Sequence, residues 1–261
     1  MRTQLHVATT LLALGLVAAL GSRAFGDMPI PDARSAGAET FDSARGYFER
    51  ARRVGFPAAG NGPPYVLEAV FKAKVKEGTN EDGKYVDTWI SADEWRREAS
   101  IGKSRYVRSQ QGDRRYQMAE GPDVTLLRLV LRAMEPIPAI DTFVEGDWRI
   151  KRDTVGGVTA VRVLAGYESP DGKLDPEQSR GYWFDEDGKL VKTYFRGIET
   201  RRSDFQDTNG VAIAHDVQLL LNGALGMEIR VTHVSPTEAK PTDFFELRKH
   251  EWTRAFTDEV R

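Results

Sequence analysis

Residues 87–100 read "DTWISADEWRREAS", two short alternating segments on either side of the acidic turn "SADE". Alternation with a period of two is typical of a β-strand that buries one face, and a short turn between two such segments predicts an antiparallel hairpin. In the second segment the alternation predicts that Trp95 faces the core together with the cation of Arg97. The same alternation predicts that Arg96 and Glu98 face outward.

Segments of the same kind lie on both sides of this hairpin. Before it, "YVLEAVFKAKVKE" (65–77) alternates apolar residues with Glu and Lys, as a strand with one wet face does. After it, short strands are predicted at "SRYVRS" and "RRYQMA". They resume at "WRIKRDTVGGVTAVRVLAGY", "RGYWFDEDGKLVKTYFRGIE", "VAIAHDVQLLLNG" and "MEIRVTHVS". About ten strands joined by short turns predict an antiparallel meander.

Two segments have the period of an amphipathic helix instead. The first, "TFDSARGYFERARRVGF", is predicted to begin at a cap on Thr40 or Asp42 and to end at Gly55. The second, "GPDVTLLRLVLRAME", is predicted to start at Pro122 and to stop before Pro136, with a broad apolar stripe. Each helix therefore needs an apolar surface to pack against.

These elements predict a mainly β (α+β) fold, a single curved, partly closed antiparallel sheet of about ten strands wrapped around two or three helices. The third helix is the weak pattern at Pro241–Glu259. The concave face of a curved sheet supplies the apolar surface that the helices need, and it leaves room for an apolar cavity. The alternative is that side chains fill this interior completely. Residues 40–261 contain no linker of domain-separating length and are predicted to form a single domain.

The N-terminus has the order of a secretory signal peptide over residues 1–24. Arg2 precedes the uncharged apolar run Val7–Leu20, and small residues allow cleavage after Ala24 or after Gly26. The chain contains no cysteine, so it folds without disulfides, and this suits a bacterial periplasm. A periplasmic protein that does not span the membrane after cleavage is predicted.

Residues 25–39 are rich in Pro, Gly and Ala without periodicity, and they are predicted to be a flexible leader. The formal net charge of −2 provides no basic field for a nucleic-acid backbone, so nucleic acid is not an expected partner. The absence of cysteine also excludes Cys-ligated zinc and a thiol nucleophile.

His215 and His233 are the candidate catalytic or metal-binding pair. The two histidines share the apolar face of the last predicted hairpin if odd-numbered residues of one strand pair with odd-numbered residues of the other. This pairing requires a loop of three or five residues between the two strands. A metal site needs a third ligand, but the nearby acids Asp216 and Glu228 are predicted to point to the other face. No nucleophile motif or phosphate-binding glycine loop is present. Neither catalysis nor a metal nor a cofactor is expected.

The spaced pattern of the opening hairpin resembles the bacterial outer-membrane lipoprotein carrier and receptor superfamily, with its LolA/LolB-type fold. The residues that carry the resemblance are Trp89, Asp93, Trp95, Arg96, Glu98, Gly112, Asp113 and Tyr116. A second block, "GYWFDEDGKLVKTYFRGIETRRSDFQDTNGVAIAHDVQL", is also similar to LolA-like domains that precede TonB-type modules. The resemblance spans roughly residues 40–236. It implies a curved sheet around helices with an apolar cavity for acyl chains.

The function predicted on this basis is a periplasmic carrier that holds an acyl chain or a lipoprotein lipid without catalysis. The alternative is an envelope sensor or interaction module that contacts a membrane protein, and a less favoured one is an enzyme that uses the two histidines. Arg97 is expected either to reach the rim of the cavity or to meet a ligand headgroup. The residues predicted to bind the ligand are Leu67, Phe71, Trp89, Trp95, Arg97, Val217, Leu219, Ile229 and Val231.

Overall fold

A computed structural model describes residues 38–55, 63–75, 78–134, 148–208 and 210–247, and the structural statements that follow concern these residues. The helices are α1 (Ala38–Gly55) and α2 (Val124–Met134). The strands are β1 (Tyr65–Lys74), β2 (Asn80–Ser91), β3 (Glu94–Ile101), β4 (Ser104–Gln111), β5 (Arg114–Glu120), β6 (Arg149–Val155), β7 (Val158–Ala165), β8 (Arg180–Asp185), β9 (Leu190–Phe195), β10 (Ile198–Thr208), β11 (Val211–Leu221) and β12 (Ala224–Pro236). The predicted signal peptide and nearly all of the predicted leader lie outside the described residues.

All twelve strands belong to one curved antiparallel sheet with the order β5-β4-β3-β2-β1-β12-β11-β10-β9-β8-β7-β6. Two meanders, β1 to β5 and β6 to β12, are joined by the pairing of β1 with β12. The sheet is not closed, because β5 and β6 form its two ends and do not pair with each other. The mainly β fold with a single antiparallel sheet and two helices is confirmed.

The sequence patterns predict about ten strands, and the strand that they miss is β10, "IETRRSDFQDT". Its inward positions include Thr200 and Arg202, which are paired across the sheet with Leu219 and Val217 of β11. Polar and charged side chains therefore occupy both faces, and the alternation that marks a half-buried strand is absent. Pairing with neighbours on both sides holds β10 in the sheet in spite of this composition.

Both predicted helices are present. The first begins at Ala38, two residues before the predicted cap at Thr40, and it ends at Gly55 as predicted. The second spans Val124–Met134, within the predicted limits. Of the third predicted helix, the described residues contain only a 3-10 turn at Thr242–Phe244, and the part after residue 247 lies outside them.

Helix α2 packs on β3, β4 and β11, on the side of the sheet that we call the inner face. Leu127, Val130 and Leu131 of this helix are buried in one cluster with Phe71 and Tyr85 of the sheet. Since α2 lies in the chain between β5 and β6, it belongs to the connection that runs from one end of the sheet to the other.

Helix α1 packs on the same face through aromatic contacts with the second meander. The ring of Phe48 has edge contacts with Tyr182 at 4.8 Å, Phe184 at 5.2 Å and Trp148 at 5.9 Å between centroids. Phe48 is fully buried, and Arg50 on the neighbouring turn donates a hydrogen bond of 3.0 Å to the carbonyl oxygen of Glu186. The two helices therefore occupy different parts of one inner face.

The segment at 241–247 packs on the opposite, outer face of β3–β5. Arg96 donates a hydrogen bond of 2.7 Å from Nη1 to the carbonyl oxygen of Phe244, and Ser109 donates one of 2.7 Å to that of Phe245. Glu98 accepts two hydrogen bonds from Arg105, at 2.7 and 3.0 Å. Burial acts to raise the pKa of Glu98, but the hydrogen bonds and charges of Arg105 and Arg96 outweigh it and lower the pKa. The prediction that Arg96 and Glu98 face outward is confirmed.

Replacing Gly46 by alanine is expected to stabilise the protein by about 0.5–1 kcal/mol, because glycine in a helix interior loses more backbone entropy on folding than alanine does. A Cβ added at Gly46 meets no atom within 4 Å. Urea denaturation measures the difference. The control is Gly83→Ala on β2, where the new Cβ would lie 2.1 Å from the ring of Phe71, so that the free energy of unfolding should fall. A loss of stability at Gly46 would contradict the prediction.

Candidate functional site

The nine residues predicted to bind a ligand all lie on the inner face. Seven of them are buried in the cluster that α2 covers, namely Leu67, Phe71, Trp89, Val217, Leu219, Ile229 and Val231. Trp95 packs against this cluster and is partly buried. Arg97 is placed on the same face by its register opposite Asp87 of β2, which is itself opposite Leu67 of β1. The structure thus brings the nine residues onto one surface, while their part in ligand binding stays a prediction.

A buried ion pair lies within this apolar surface. Arg97 contacts Asp87 at 3.3 Å between Nε and Oδ2, and the two side chains are 11% and 7% exposed. The hydroxyl of Tyr65 donates a hydrogen bond of 3.3 Å to the same Oδ2 atom. Burial, followed by the negative charge of Asp87, raises the pKa of Tyr65 well above its usual value, although Arg97 acts to lower it. Tyr65 therefore remains a hydrogen-bond donor throughout the neutral range.

Aromatic rings lie next to this ion pair on three neighbouring strands. Tyr65 of β1 is stacked on Trp89 of β2 with 5.8 Å between ring centroids, and Trp89 is opposite Trp95 of β3 in the register. The guanidinium of Arg97 lies over the ring of Trp95 at 4.8 Å. Trp95 donates a hydrogen bond of 3.2 Å from Nε1 to Gln110. We call Tyr65, Trp89 and Trp95 the aromatic row.

Sequence reasoning placed Arg97 on the apolar face but missed its partner. Arg97 does not extend its charged end to the surface, because that end is held by Asp87 and the side chain is 11% exposed. Asp87 has the same parity as Tyr85 and Trp89 on β2, and the register places Asp87 directly opposite Arg97. The alternation of β2 was the signal that could have identified this pair.

The apolar residues of α2 extend beyond the side that packs on the sheet. Leu127, Val130, Leu131 and Ala133 are buried. The remaining apolar residues of the helix are only partly buried, namely Val124, Leu126, Leu129 and Met134. These four side chains alternate around the helix with the buried ones and pack against the same cluster, while part of their surface stays exposed. We call these four partly exposed apolar residues the second face of α2.

The predicted histidine pair is not formed. The β11–β12 hairpin has a two-residue turn at Asn222-Gly223, and a bulge after Leu219, not a longer loop, restores the pairing of odd positions with odd ones. A second bulge, where β12 pairs with β1, places His233 opposite the exposed Glu68 and turns Val234 toward the inner face. His215 is half-buried on β11, whereas His233 is exposed on the outer face. The prediction that both histidines share the apolar face was wrong.

Among the described residues, no group of three or more His, Asp or Glu side chains has the geometry of a metal site. Neither α1 nor α2 is long and apolar enough to cross a membrane.

The chain is similar to solved structures at low sequence identity. A LolA superfamily protein from Nitrosomonas europaea is 10% identical over 78% of this chain and 97% of its own, with a TM-score of 0.47. A DUF1329 family protein from Desulfovibrio piger is 10% identical over 78% of this chain and 96% of its own, with a TM-score of 0.49. MucB of Pseudomonas aeruginosa, in its complex with MucA, is 14% identical over 84% of this chain and 64% of its own, with a TM-score of 0.31. No protein-family model and no curated protein matches the chain.

Proposed function

We propose that this protein binds the acyl chain of a lipid or of an acylated lipoprotein against its inner face and carries it in the periplasm without catalysing a reaction on it. The observation that supports the proposal is the second face of α2, four apolar side chains that pack against the inner cluster and keep part of their surface exposed. The periplasmic location is supported by the signal-peptide pattern of residues 1–24 and by the absence of cysteine.

The partly exposed apolar residues are spread along the whole of α2. Val124 and Met134 are about 15 Å apart along the axis at the rise of an α-helix. Trp95 of the aromatic row is also partly buried and packs against the same cluster. An acyl chain that buries roughly 300 Å² of apolar surface there gains about 7 kcal/mol before the entropy costs of binding. This gain is large enough to hold a lipid without a covalent bond.

The ion pair fits this function because it leaves no net charge at the aromatic row. The carboxylate of Asp87 neutralises the guanidinium of Arg97, and both side chains are almost completely buried. Amphipathic rings beside a neutral polar pair are suited to the boundary between an apolar chain and a more polar group.

The first experiment isolates the protein from the periplasm and analyses it by native mass spectrometry and lipid extraction. A co-purifying lipid in about stoichiometric amount is the result we expect of a carrier with this surface. Recovery of the protein without lipid, together with one membrane protein in a pull-down, would replace the carrier by the alternative function, an envelope interaction module.

Replacing Leu129 by aspartate is expected to weaken the binding of a dansyl-labelled C11 fatty acid at least about tenfold, since a carboxylate at this position has to be desolvated by the bound chain. Leu129 lies on the second face of α2 and is half-buried. Fluorescence titration of the probe measures the dissociation constant.

The control variant is Thr125→Asp, on an exposed position of the same helix. It adds the same charge to the exposed side of α2, one turn before Leu129, and it should weaken the binding of the probe less than Leu129→Asp does. Circular dichroism melting of both variants separates a loss of binding from a loss of folding. Equal affinity of the two variants would show that the second face of α2 does not contact the chain.

A further inference from the structure

Arg202 is a partly buried cation on the inner face that has no carboxylate partner among the described residues. Its position on β10 is opposite Val217, which belongs to the buried inner cluster. Nη2 donates a hydrogen bond of 2.9 Å to the carbonyl oxygen of Ala133 in the last turn of α2. Nη1 is buried and has no hydrogen-bond partner. Nη2 of the guanidinium therefore binds the end of α2, whereas the N–H groups of Nη1 have no acceptor.

The surroundings of Arg202 give its charge little compensation. Burial lowers the pKa of Arg202 to about 10, and the nearby Tyr182 offsets this effect only in part. Arg202 is therefore still charged at neutral pH. Nη1 is the buried part of this partly buried side chain, and a buried polar group without a hydrogen-bond partner is costly to the folded state.

Two further arginines lie near the same place. Arg180 of β8 and Arg132 of α2 lie over the ring of Phe195, at 5.2 and 4.9 Å from its centroid. Together with Arg202 they act to lower the pKa of Tyr182, although burial of its phenol is the larger effect and the net shift is upward. We call Arg132, Arg180 and Arg202 the arginine cluster.

The arginine cluster and its neighbour Tyr182 contact both helices. Tyr182 packs against Phe48 of α1, while Arg202 binds the C-terminal end of α2. Helix α2 contains no acidic residue, and Glu199 of β10 forms its ion pairs with Lys192 and with Arg201. Neither Arg180 nor Arg202 forms an ion pair with any part of the chain that the structure describes.

We propose that the arginine cluster is an anion site that binds a carboxylate or phosphate group, with Nη1 of Arg202 as its innermost hydrogen-bond donor. A guanidinium with a free N–H edge matches the oxygen atoms of such a group, and hydrogen bonds between charged groups are the stronger ones. The site lies beside Ala133 and is therefore next to Met134, the end of the second face of α2. This anion site rests on the proposed function where the ligand is a lipid. It deepens that function by assigning where the polar end of the lipid binds.

The test compares three probes on the whole protein by isothermal titration calorimetry, namely dodecyl phosphate, dodecanol and inorganic phosphate. Dodecyl phosphate should bind at least about tenfold more tightly than dodecanol, since it adds charge-assisted hydrogen bonds to the same chain. Equal binding of these two probes would overturn the anion site. Binding of inorganic phosphate as tight as that of dodecyl phosphate, without binding of dodecanol, would support the anion site with a free anion as its ligand and would contradict the acyl-chain function.

The variants assign the effect to Arg202. Arg202→Met should abolish the preference for dodecyl phosphate over dodecanol, whereas Arg201→Gln, the exposed neighbour on the same strand, should preserve it. If Arg202 served only to hold the end of α2, Arg202→Met would lower the melting temperature and leave the preference unchanged, which would overturn the proposal. If Arg202→Met fails to fold, Arg180→Gln provides the second measurement. It should reduce the preference for dodecyl phosphate over dodecanol by a smaller factor. An unchanged preference in Arg180→Gln would overturn the proposal.

Discussion

Replacing Asp87 by alanine is expected to lower the free energy of unfolding by about 3–5 kcal/mol, because it removes the carboxylate that forms an ion pair with the largely buried cation of Arg97. The two side chains are 7% and 11% exposed, so that water cannot replace the lost carboxylate without opening the sheet. The hydroxyl of Tyr65 loses an acceptor in the same change. Urea denaturation followed by tryptophan fluorescence measures the effect.

The control is Asp82→Ala on the same strand, where the pair with Lys72 is 3.9 Å long and both side chains are more than three-quarters exposed. This change should alter the free energy of unfolding by less than about 1 kcal/mol, since exposed ion pairs contribute little. A second variant, Asp87→Leu with Arg97→Met, removes both charges and replaces them by apolar side chains. It should recover most of the loss, because it removes the buried cation together with its carboxylate. A double variant as unstable as Asp87→Ala would show that the loss comes from packing.

The parts of the fold that the sequence predicts well are those that depend on local alternation. The inward direction of Trp95 and Arg97, and the outward direction of Arg96 and Glu98, follow from the pleat of a strand, whatever its partners are. The helix ends near Gly55 and Met134 are local as well, because they are marked by the turn and the proline that follow in the sequence.

The parts that failed depend on pairing between distant segments. The bulge that turns His233 outward lies where β12 pairs with β1, about 165 positions away in the chain, and no local pattern marks it. One extra residue in a strand reverses the face of every side chain beyond it. The strand β10 was missed for a related reason, since it is held by partners on both sides and not by its own alternation.

The candidate site was predicted in its apolar part and missed in its polar part. The aliphatic and aromatic residues share one face because alternation on β1, β11 and β12 places them there. The arginine cluster, in contrast, is assembled from α2, β8 and β10. In the sequence its members look like ordinary solvated cations, since their common neighbours Phe195 and Tyr182 emerge only when the three elements meet.

Replacing Phe48 by alanine is expected to lower the free energy of unfolding by about 3–5 kcal/mol, the range found for a large aromatic side chain removed from a core. Phe48 is fully buried and contacts three aromatic rings, those of Trp148, Tyr182 and Phe184. Its removal leaves a cavity between α1 and the second meander that the rigid rings cannot fill by a small shift. Thermal and urea denaturation measure the loss.

The control for Phe48 is Glu49→Ala, the next residue on α1, whose side chain is 45% exposed and pairs with Arg45 at 3.0 Å. Glu49→Ala should lower the free energy of unfolding by no more than about 0.5 kcal/mol.

Hydrogen exchange shows which part of the protein is loosened by Phe48→Ala. Amides of β8, which carries Tyr182 and Phe184, should exchange faster, while those of β2 should keep their protection, because local opening follows the contacts that are lost. Because Tyr182 also neighbours Arg202, loosening of α1 should reduce the preference for dodecyl phosphate as well. An unchanged preference in a destabilised Phe48→Ala protein would show that the arginine cluster is held by α2 and the sheet without help from α1.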